Sequence, residues 1–350
     1  MNALPATRAE STRMYLEAAS ASRAVRAQLE HDAESIKRIA AEIRRLNPRT
    51  VITCARGSSD HAATYAKYLI ETHTGVITAS AAPSVSSLYE TKQDLRGCLF
   101  IALSQSGRSP DLLAAVAAAK ASGATILALC NSPDAPLVGA SDLVIDLRAG
   151  IETSVAATKS YLATLAALAR LVAAWTEDAS LQSALEVLPT LLERHWNFDW
   201  SGALPILEPA NHLYVVGRGF ALGAAQEIAL KCKETSGLHA EAFSSAELRH
   251  GPFTLLQGNF PALLLAQDDA TRPGVEALAD ELSRRGVPVM IAGADCAGPG
   301  AVVLQTGPAR PELAPILLVQ SAYRLIASLS VNRGFDPDNP AHLRKITETL

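Results

Sequence analysis

Ser104-Gln105-Ser106-Gly107-Arg108-Ser109 gathers three hydroxyls, an amide and a glycine into six residues, the chemistry of a loop that holds an anion. The hydroxyls and the Gln105 amide donate hydrogen bonds, and Gly107 lets the backbone approach a ligand. The helix pattern that follows, Asp111 to Lys120, turns free N–H groups and its positive dipole end toward a negative charge. Arg56-Gly57-Ser58-Ser59 offers a second hydroxyl-bearing loop. A third, Gly150 to Lys159, could close a site with its backbone and the Thr158 hydroxyl, while Glu152 and Lys159 read equally well as a local ion pair. Groups able to move protons come later in the chain. Lys231 and Glu234 are three residues apart near the end of a predicted helix, so they share a face; a glutamate tuned by burial and a neighbouring lysine can act as general base. His250 stands just before the Gly251-Pro252 breaker, and histidine is the side-chain type suited to moving protons near neutral pH. Lys345 follows the turn-rich run Pro337-Asp338-Asn339-Pro340, and a desolvated lysine can form a Schiff base with a sugar carbonyl. Each group also has a plainer explanation: Ser58 or Ser106 as helix caps, Glu234 as a solvated charge, His250 as a structural histidine, Lys345 as a frayed surface lysine.

The elements that must position these groups alternate. Residues 10 to 47 read as helical throughout, and Pro48 ends them. Strand candidates Thr50–Ala55, Val76–Ala79, Leu99–Leu103, Thr125–Cys130 and Leu143–Leu147 then alternate with helices, one of them from Asp60 to Glu71. A second series opens with His212–Gly219, continues as a helix from Leu222 to Ser236, and adds strands near Ala262–Ala266 and Val287–Ala292. The strand-Arg-Gly-turn-helix pattern thus recurs at Arg56-Gly57 and Arg218-Gly219, an offset of 162 residues, which predicts two copies of one α/β module. Each copy should be a parallel sheet covered by helices on both faces, with ligands beyond the carboxyl ends of its strands. The boundaries read as a helical segment 1–48, modules 49–176 and 208–335, a helical linker 177–207 and a tail 336–350 carrying Lys345. Hydroxyl-rich loops of this kind suit a monophosphate better than a dinucleotide.

Bulk properties exclude several classes. The 350 residues are 49% hydrophobic and 19% charged, with a net charge of −4 and no long run of one sign, which argues against nucleic acid or a membrane surface as partner. Five cysteines, at 54, 98, 130, 232 and 296, form no CxxC pair and suit a reducing cytoplasm. The first residues lack a signal-peptide layout, and Tyr161–Trp175, read as the longest apolar helix, is too short and carries Arg170. His239 and Glu241 alternate without helical His spacing, so no metal site is expected. Gly217-Arg218-Gly219-Phe220-Ala221-Leu222-Gly223 matches a dinucleotide loop only loosely, and the repeat accounts for it. A cytoplasmic enzyme acting on a small molecule, with neither metal nor organic cofactor, is the expectation.

Taken together, Arg56-Gly57-Ser58-Ser59, Ser104-Gln105-Ser106-Gly107, Val155-Ala156-Ala157-Thr158-Lys159, Lys231-Cys232-Lys233-Glu234, His239-Ala240-Glu241-Ala242, Glu247-Leu248-Arg249-His250-Gly251-Pro252 and the tail with Lys345 resemble the isomerase half of the glucosamine-6-phosphate synthases, a tandem of two sugar-isomerase (SIS) domains. The resemblance covers roughly residues 45 to 350. It implies a flavodoxin-like three-layer sandwich for each domain. It also implies a homodimer with a shared active site, Glu234 as the base between sugar carbons 1 and 2, Lys231 in support, His250 as ring opener, and Lys345 at the place of a Schiff-base lysine. Ser58, Ser59, Ser104, Gln105, Ser106 and Ser109 would hold phosphate or sugar hydroxyls, and Val155 would contribute its backbone. No glutaminase half precedes the resemblance, so the chain is expected to act like the SIS-type glucosamine-6-phosphate deaminases, releasing fructose 6-phosphate and ammonia. Fructosamine-phosphate deglycation, ammonia-dependent synthesis and a non-catalytic sugar-phosphate sensor are the alternatives. Arg108-Ser109 departs from the Glu-Thr that those synthases carry at this point, and the sequence around Lys345 departs as well.

Overall fold

The computed structural model describes residues 8–31, 33–295, 297–341 and 343; Lys345 therefore lies outside the described residues. The continuous helix expected over residues 10–47 is instead a 3-10 turn, Ala9–Ser11, and three helices: α1 (Arg13–Ala19), α2 (Ala21–His31) and α3 (Ala33–Leu46). The break after α1 has a local cause. The Ser20 hydroxyl donates to the Glu17 carbonyl at 2.7 Å, and the chain turns at Ser20 out of regular helical geometry. Thr12 caps the start of α1 by accepting the Tyr15 N–H, as its residue type favours.

The chain divides into two compact units. The first holds β1 (Thr50–Cys54), α4 (Ser58–Thr74), β2 (Thr78–Ser80), α5 (Pro83–Ser87), β3 (Cys98–Ser104), α6 (Pro110–Ala121), β4 (Thr125–Cys130), α7 (Pro136–Ala140), β5 (Leu143–Asp146) and α8 (Lys159–Trp175). Its five strands are all parallel, in the order β2-β1-β3-β4-β5. Leu99 to Leu103 of β3 and Ile126 to Cys130 of β4 are buried without interruption, which is why both strands read as continuous apolar runs. The chain steps from β1 to β2 on one side and then back past β1 to β3, β4 and β5 on the other, so the ends of β1 and β3 lie side by side where the strand order reverses. That reversal is the switch point at which open parallel sheets bind ligands.

After α9 (Ala179–His195) and α10 (Leu204–Leu207) come β6 (His212–Gly217), α11 (Ala221–Ser236), β7 (His239–Ser244), β8 (Ala262–Leu265), α12 (Arg272–Arg284), β9 (Val289–Ala292), β10 (Val302–Leu304) and α13 (Ala314–Asn332). The second sheet, parallel throughout, runs β10-β9-β8-β6-β7. Read from β7 it repeats the first order strand for strand, so the repeat inferred from Arg56-Gly57 and Arg218-Gly219 is a duplicated topology. The second unit also takes in residues 8–21 and Glu152–Lys159, segments that leave the first repeat in sequence but pack with the second in space.

Two strands escaped the sequence pattern. β7 is a half-buried edge strand with polar residues at alternate positions, and β10 has three residues; neither makes an apolar run. The helical linker expected over 177–207 carries the 17-residue α9. Tyr161–Trp175 is also not the longest apolar helix: α13 has 19 residues and is apolar and long enough to cross a bilayer by composition, but 78% of its most apolar stretch is buried inside the protein. It is the core helix of the second unit, which is why its apolar character extends round the cylinder.

His195 ends α9 buried, its Nε2 accepting the Gly307 N–H at 3.2 Å. Burial, and secondarily the charge of Arg194, pull its pKa down from 6.5 to about 4. The folded protein therefore holds this ring neutral where the unfolded chain would protonate it. Stability should fall as pH drops from 6.5 toward 4, by at most about 3 kcal/mol from this residue. Thermal melts across that window are expected to be flatter for His195→Gln than for the unmodified protein; parallel curves would remove His195 as the cause.

Candidate active site

In the first unit, the loops after β1 and β3 stand at the switch point and are tied together. Arg56, after β1, donates through Nε to Asp111 Oδ2 at 2.7 Å, and Asp111 is a buried first-turn residue of α6 that also accepts the Leu112 N–H. The ion pair fixes one loop against the helix that follows the other. Ser104 Oγ accepts the Gly107 N–H at 2.9 Å, which closes the turn and leaves the hydroxyl proton to donate outward. The Gln105 carbonyl accepts the Asn131 N–H and the Gly107 carbonyl accepts the Leu137 N–H, so the loop backbone is anchored from behind. Gly107 has φ of +64°, and a Cβ there would sit 2.6 Å from the Ala135 Cβ and 2.8 Å from the Cys130 sulfur. Only glycine fits both the conformation and the space.

Ser58, Ser59, Ser104, Gln105, Ser106 and Ser109 are all half-buried and stand on these two loops or the helix starts beside them. Neither N-cap residue of these two helices caps with its side chain. Gly57 is the N-cap of α4 and makes no side-chain cap, and Ser109 precedes α6 without a side-chain cap either. These hydroxyls and the Gln105 amide stand beside the N-termini of helices of 17 and 12 residues, donors of the kind a phosphate takes.

The corresponding place in the second sheet has lost that chemistry. Strand register equates Ser104-Gln105-Ser106-Gly107 with Ala266-Gln267-Asp268-Asp269. Gln267 keeps the amide, but two aspartates stand where the hydroxyl and glycine were. A cavity of about 280 Å³ at this edge is lined by Asp268, Arg272 and Asp295 among others, and Arg272 is already paired with both carboxylates and with Glu276. Carboxylates at the mouth oppose a phosphate.

What the second unit does carry is a buried charge cluster on α11. Glu227, Lys231 and Glu234 fall at positions i, i+4 and i+7, on one face. Lys231 is 1% exposed, its Nζ lies 3.5 Å from Glu227 Oε1, and it donates a hydrogen bond to Glu234 Oε2. Burial alone would lower the lysine pKa; Glu227 first, then Glu234 and Glu152, outweigh it and push it up. Lys231 is thus an ammonium, an electrostatic group and not an amine nucleophile. Glu234 keeps its side chain 21% exposed, so one end of the cluster opens outward and can meet a substrate. Burial pushes the Cys232 thiol up to about 12, which removes it as a thiolate nucleophile beside them.

Val155 lies half-buried in Glu152–Lys159, the segment that groups with this unit. Glu152 is buried and accepts the Thr158 N–H at 2.9 Å, folding the segment back on itself. Glu17 of α1 holds the segment from outside, accepting the N–H groups of Thr153 and Ser154 at 2.5 and 3.1 Å. The same helix is capped by Asp338, whose carboxylate accepts the Arg13 and Met14 N–H groups at 2.8 Å. His250 follows the 3-10 turn Glu247–Arg249 and is exposed on its own chain. Sequence reasoning missed Glu227, the buried setting of Glu152, and Tyr323 of α13, which hydrogen-bonds Glu227. The four-residue step from Glu227 to Lys231 was the available signal for the first; none marked Tyr323.

The family model for the SIS domain matches residues 46–174 and 206–298, one stretch in each repeat. The chain belongs to the SIS domain family. A glutamine–fructose-6-phosphate aminotransferase (isomerizing) of Legionella pneumophila is 33% identical over 306 residues, a match that covers 84% of this SIS chain and 50% of that relative. The SIS chain therefore spans about half the length of the relatives it matches. Among solved structures, a candidate phosphosugar isomerase of Silicibacter pomeroyi superposes with a TM-score of 0.89 at 38% identity, covering 93% of this chain and all of that one. A glucosamine-6-phosphate deaminase of Thermotoga maritima shares the fold, with a TM-score of 0.75 at 21% identity over 97% of this chain and 100% of its own.

Proposed function

We propose that this SIS protein converts glucosamine 6-phosphate and water to fructose 6-phosphate and ammonia. The observation that carries this reading is the α11 cluster: a carboxylate open on one side and held on the other by a buried ammonium is a built acid–base group, which a sensor of sugar phosphates has no need to keep. The first unit's loops take the phosphate through Ser58, Ser59, Ser104, Gln105, Ser106 and Ser109. Val155 adds its backbone. His250 opens the pyranose ring, and its exposure suits action at a partner subunit's site in a homodimer. Glu234 then takes the proton from carbon 2 of the open aldehyde, leaving an enolamine. Returning that proton to carbon 1 gives the ketimine, fructosimine 6-phosphate. Lys231 compensates the charge on Glu234 while the proton is away. Water adds at carbon 2, ammonia leaves with the former amino nitrogen, and the keto sugar remains. The hydrolytic direction needs water alone as co-substrate. Relatives that act, by name, on fructose 6-phosphate support the substrate class. Lys345 is assigned no step.

Purified protein incubated with glucosamine 6-phosphate should release ammonia and fructose 6-phosphate in equal amounts, with no metal or nucleotide added. Turnover only of fructosamine 6-phosphates would replace the reading with deglycation, and binding without turnover of either would make the protein a sensor.

A further inference from the structure

Glu227 and Tyr323 are buried groups that the proposed steps do not use. Both side chains are 0% exposed, and the Tyr323 hydroxyl donates to Glu227 Oε1 at 2.8 Å. A carboxylate in an apolar core is costly unless paired and hydrogen-bonded, and a phenylalanine would fill the Tyr323 site without a polar atom to satisfy. Glu227 Oε1 is also the atom that faces the Lys231 ammonium at 3.5 Å. One oxygen thus joins the phenol of α13 to the ammonium of α11.

The rest of the α11–α13 contact keeps this join in register. Ser330 donates to the Thr235 carbonyl at 2.6 Å and Arg333, the residue after α13, to the Ser236 carbonyl at 2.9 Å, so α13 and its C-cap hold α11 at three successive points along its length. The Thr235 hydroxyl in turn donates to the Lys231 carbonyl. A lysine side chain has four flexible carbons and no intrinsic preference for one direction. Between Glu227 on one side and Glu234 on the other, its head group has a single place to be.

We propose that Tyr323 and Glu227 are positioning residues: the phenol orients the Glu227 carboxylate, Glu227 anchors the Lys231 ammonium, and the ammonium holds Glu234 in the direction from which it reaches the substrate. This rests on the reading of Glu234 as the base. A merely structural role, a polar staple between two core helices, would affect melting and leave the chemical step alone.

The test is Tyr323→Phe, which removes one oxygen and keeps the ring. Its first readout is the 15N resonance of the Lys231 ammonium in lysine-labelled protein without substrate, which is independent of what the enzyme turns over. The resonance is expected to shift and broaden. In turnover of glucosamine 6-phosphate, kcat is expected to fall about ten-fold with KM within about two-fold of the unmodified protein, the size of one lost hydrogen bond to a charged group. Glu227→Gln should move the resonance further in the same direction. An unmoved Lys231 resonance in Tyr323→Phe would overturn the proposal even if the protein proved inactive on glucosamine 6-phosphate. So would a shifted resonance with unchanged kcat, since Glu234 would then not depend on the chain of contacts.

Discussion

Glu234→Gln is expected to lower kcat for glucosamine 6-phosphate by about 10³-fold, within the range a positioned general base contributes, while sugar-phosphate affinity stays within a few-fold. The amide keeps the size and shape of the carboxylate and still accepts from Lys231, whose ammonium it leaves only partly compensated. Glu227 and Glu152 remain to hold that charge, so the site survives the substitution. Removing the carboxylate from Glu227 is a different experiment, because that residue is wholly buried and its loss strands the ammonium. Turnover of Glu234→Gln near the unmodified rate, measured by coupled release of fructose 6-phosphate, would remove Glu234 as the base.

The second large effect belongs to the loop proposed to hold the phosphate. Gly107→Ala places a methyl 2.6 Å from the Ala135 Cβ, at a φ of +64° that alanine adopts only under strain. Strain and overpacking of about 1–3 kcal/mol each cannot be relieved without moving the loop, whose carbonyls are held by Asn131 and Leu137. The Ser104–Gly107 hydrogen bond is then the contact that gives way. Affinity for glucosamine 6-phosphate, read by calorimetry, is expected to fall about 10- to 100-fold, with a modest loss of melting temperature. The matching change in the second unit, Asp268→Ser, should leave sugar-phosphate affinity alone. Unaltered binding by Gly107→Ala would show that phosphate is held elsewhere.

The two sites differed in how far the chain announced them. β1 and β3 are apolar runs followed by hydroxyls and glycine, and such loops after parallel strands are legible in the sequence as a place for a ligand. The duplicated topology was legible from one Arg-Gly pair per repeat. The arrangement around Lys231 was only half legible. Lys231 and Glu234 stand close in sequence, but Glu227 looks like any charge on a helix until α13 buries it, and Tyr323 is 96 positions from its partner. Glu152 shows the same limit from the other direction. Its carboxylate takes the Thr158 N–H inside a segment that packs with the second repeat, a buried setting that nothing near it in the sequence announces. Tertiary burial decided each case, and burial of a lone polar residue leaves no periodic mark in a sequence. The break after α1 is similar in kind: one serine hydroxyl competing for a carbonyl outweighs a pattern that favours helix on both sides.

Glu234 is proposed to carry a proton between carbons 1 and 2 of a bound sugar phosphate. Running the reaction on glucosamine 6-phosphate in deuterium oxide, and reading the product by NMR, tests it directly. Fructose 6-phosphate bearing deuterium at carbon 1 is the expected result, because an open carboxylate exchanges its proton with solvent during transfer, and Glu234→Gln should form no labelled product. Fructose 6-phosphate formed at the normal rate by Glu234→Gln and labelled as before would contradict the account, because the proton would then be moving through another group.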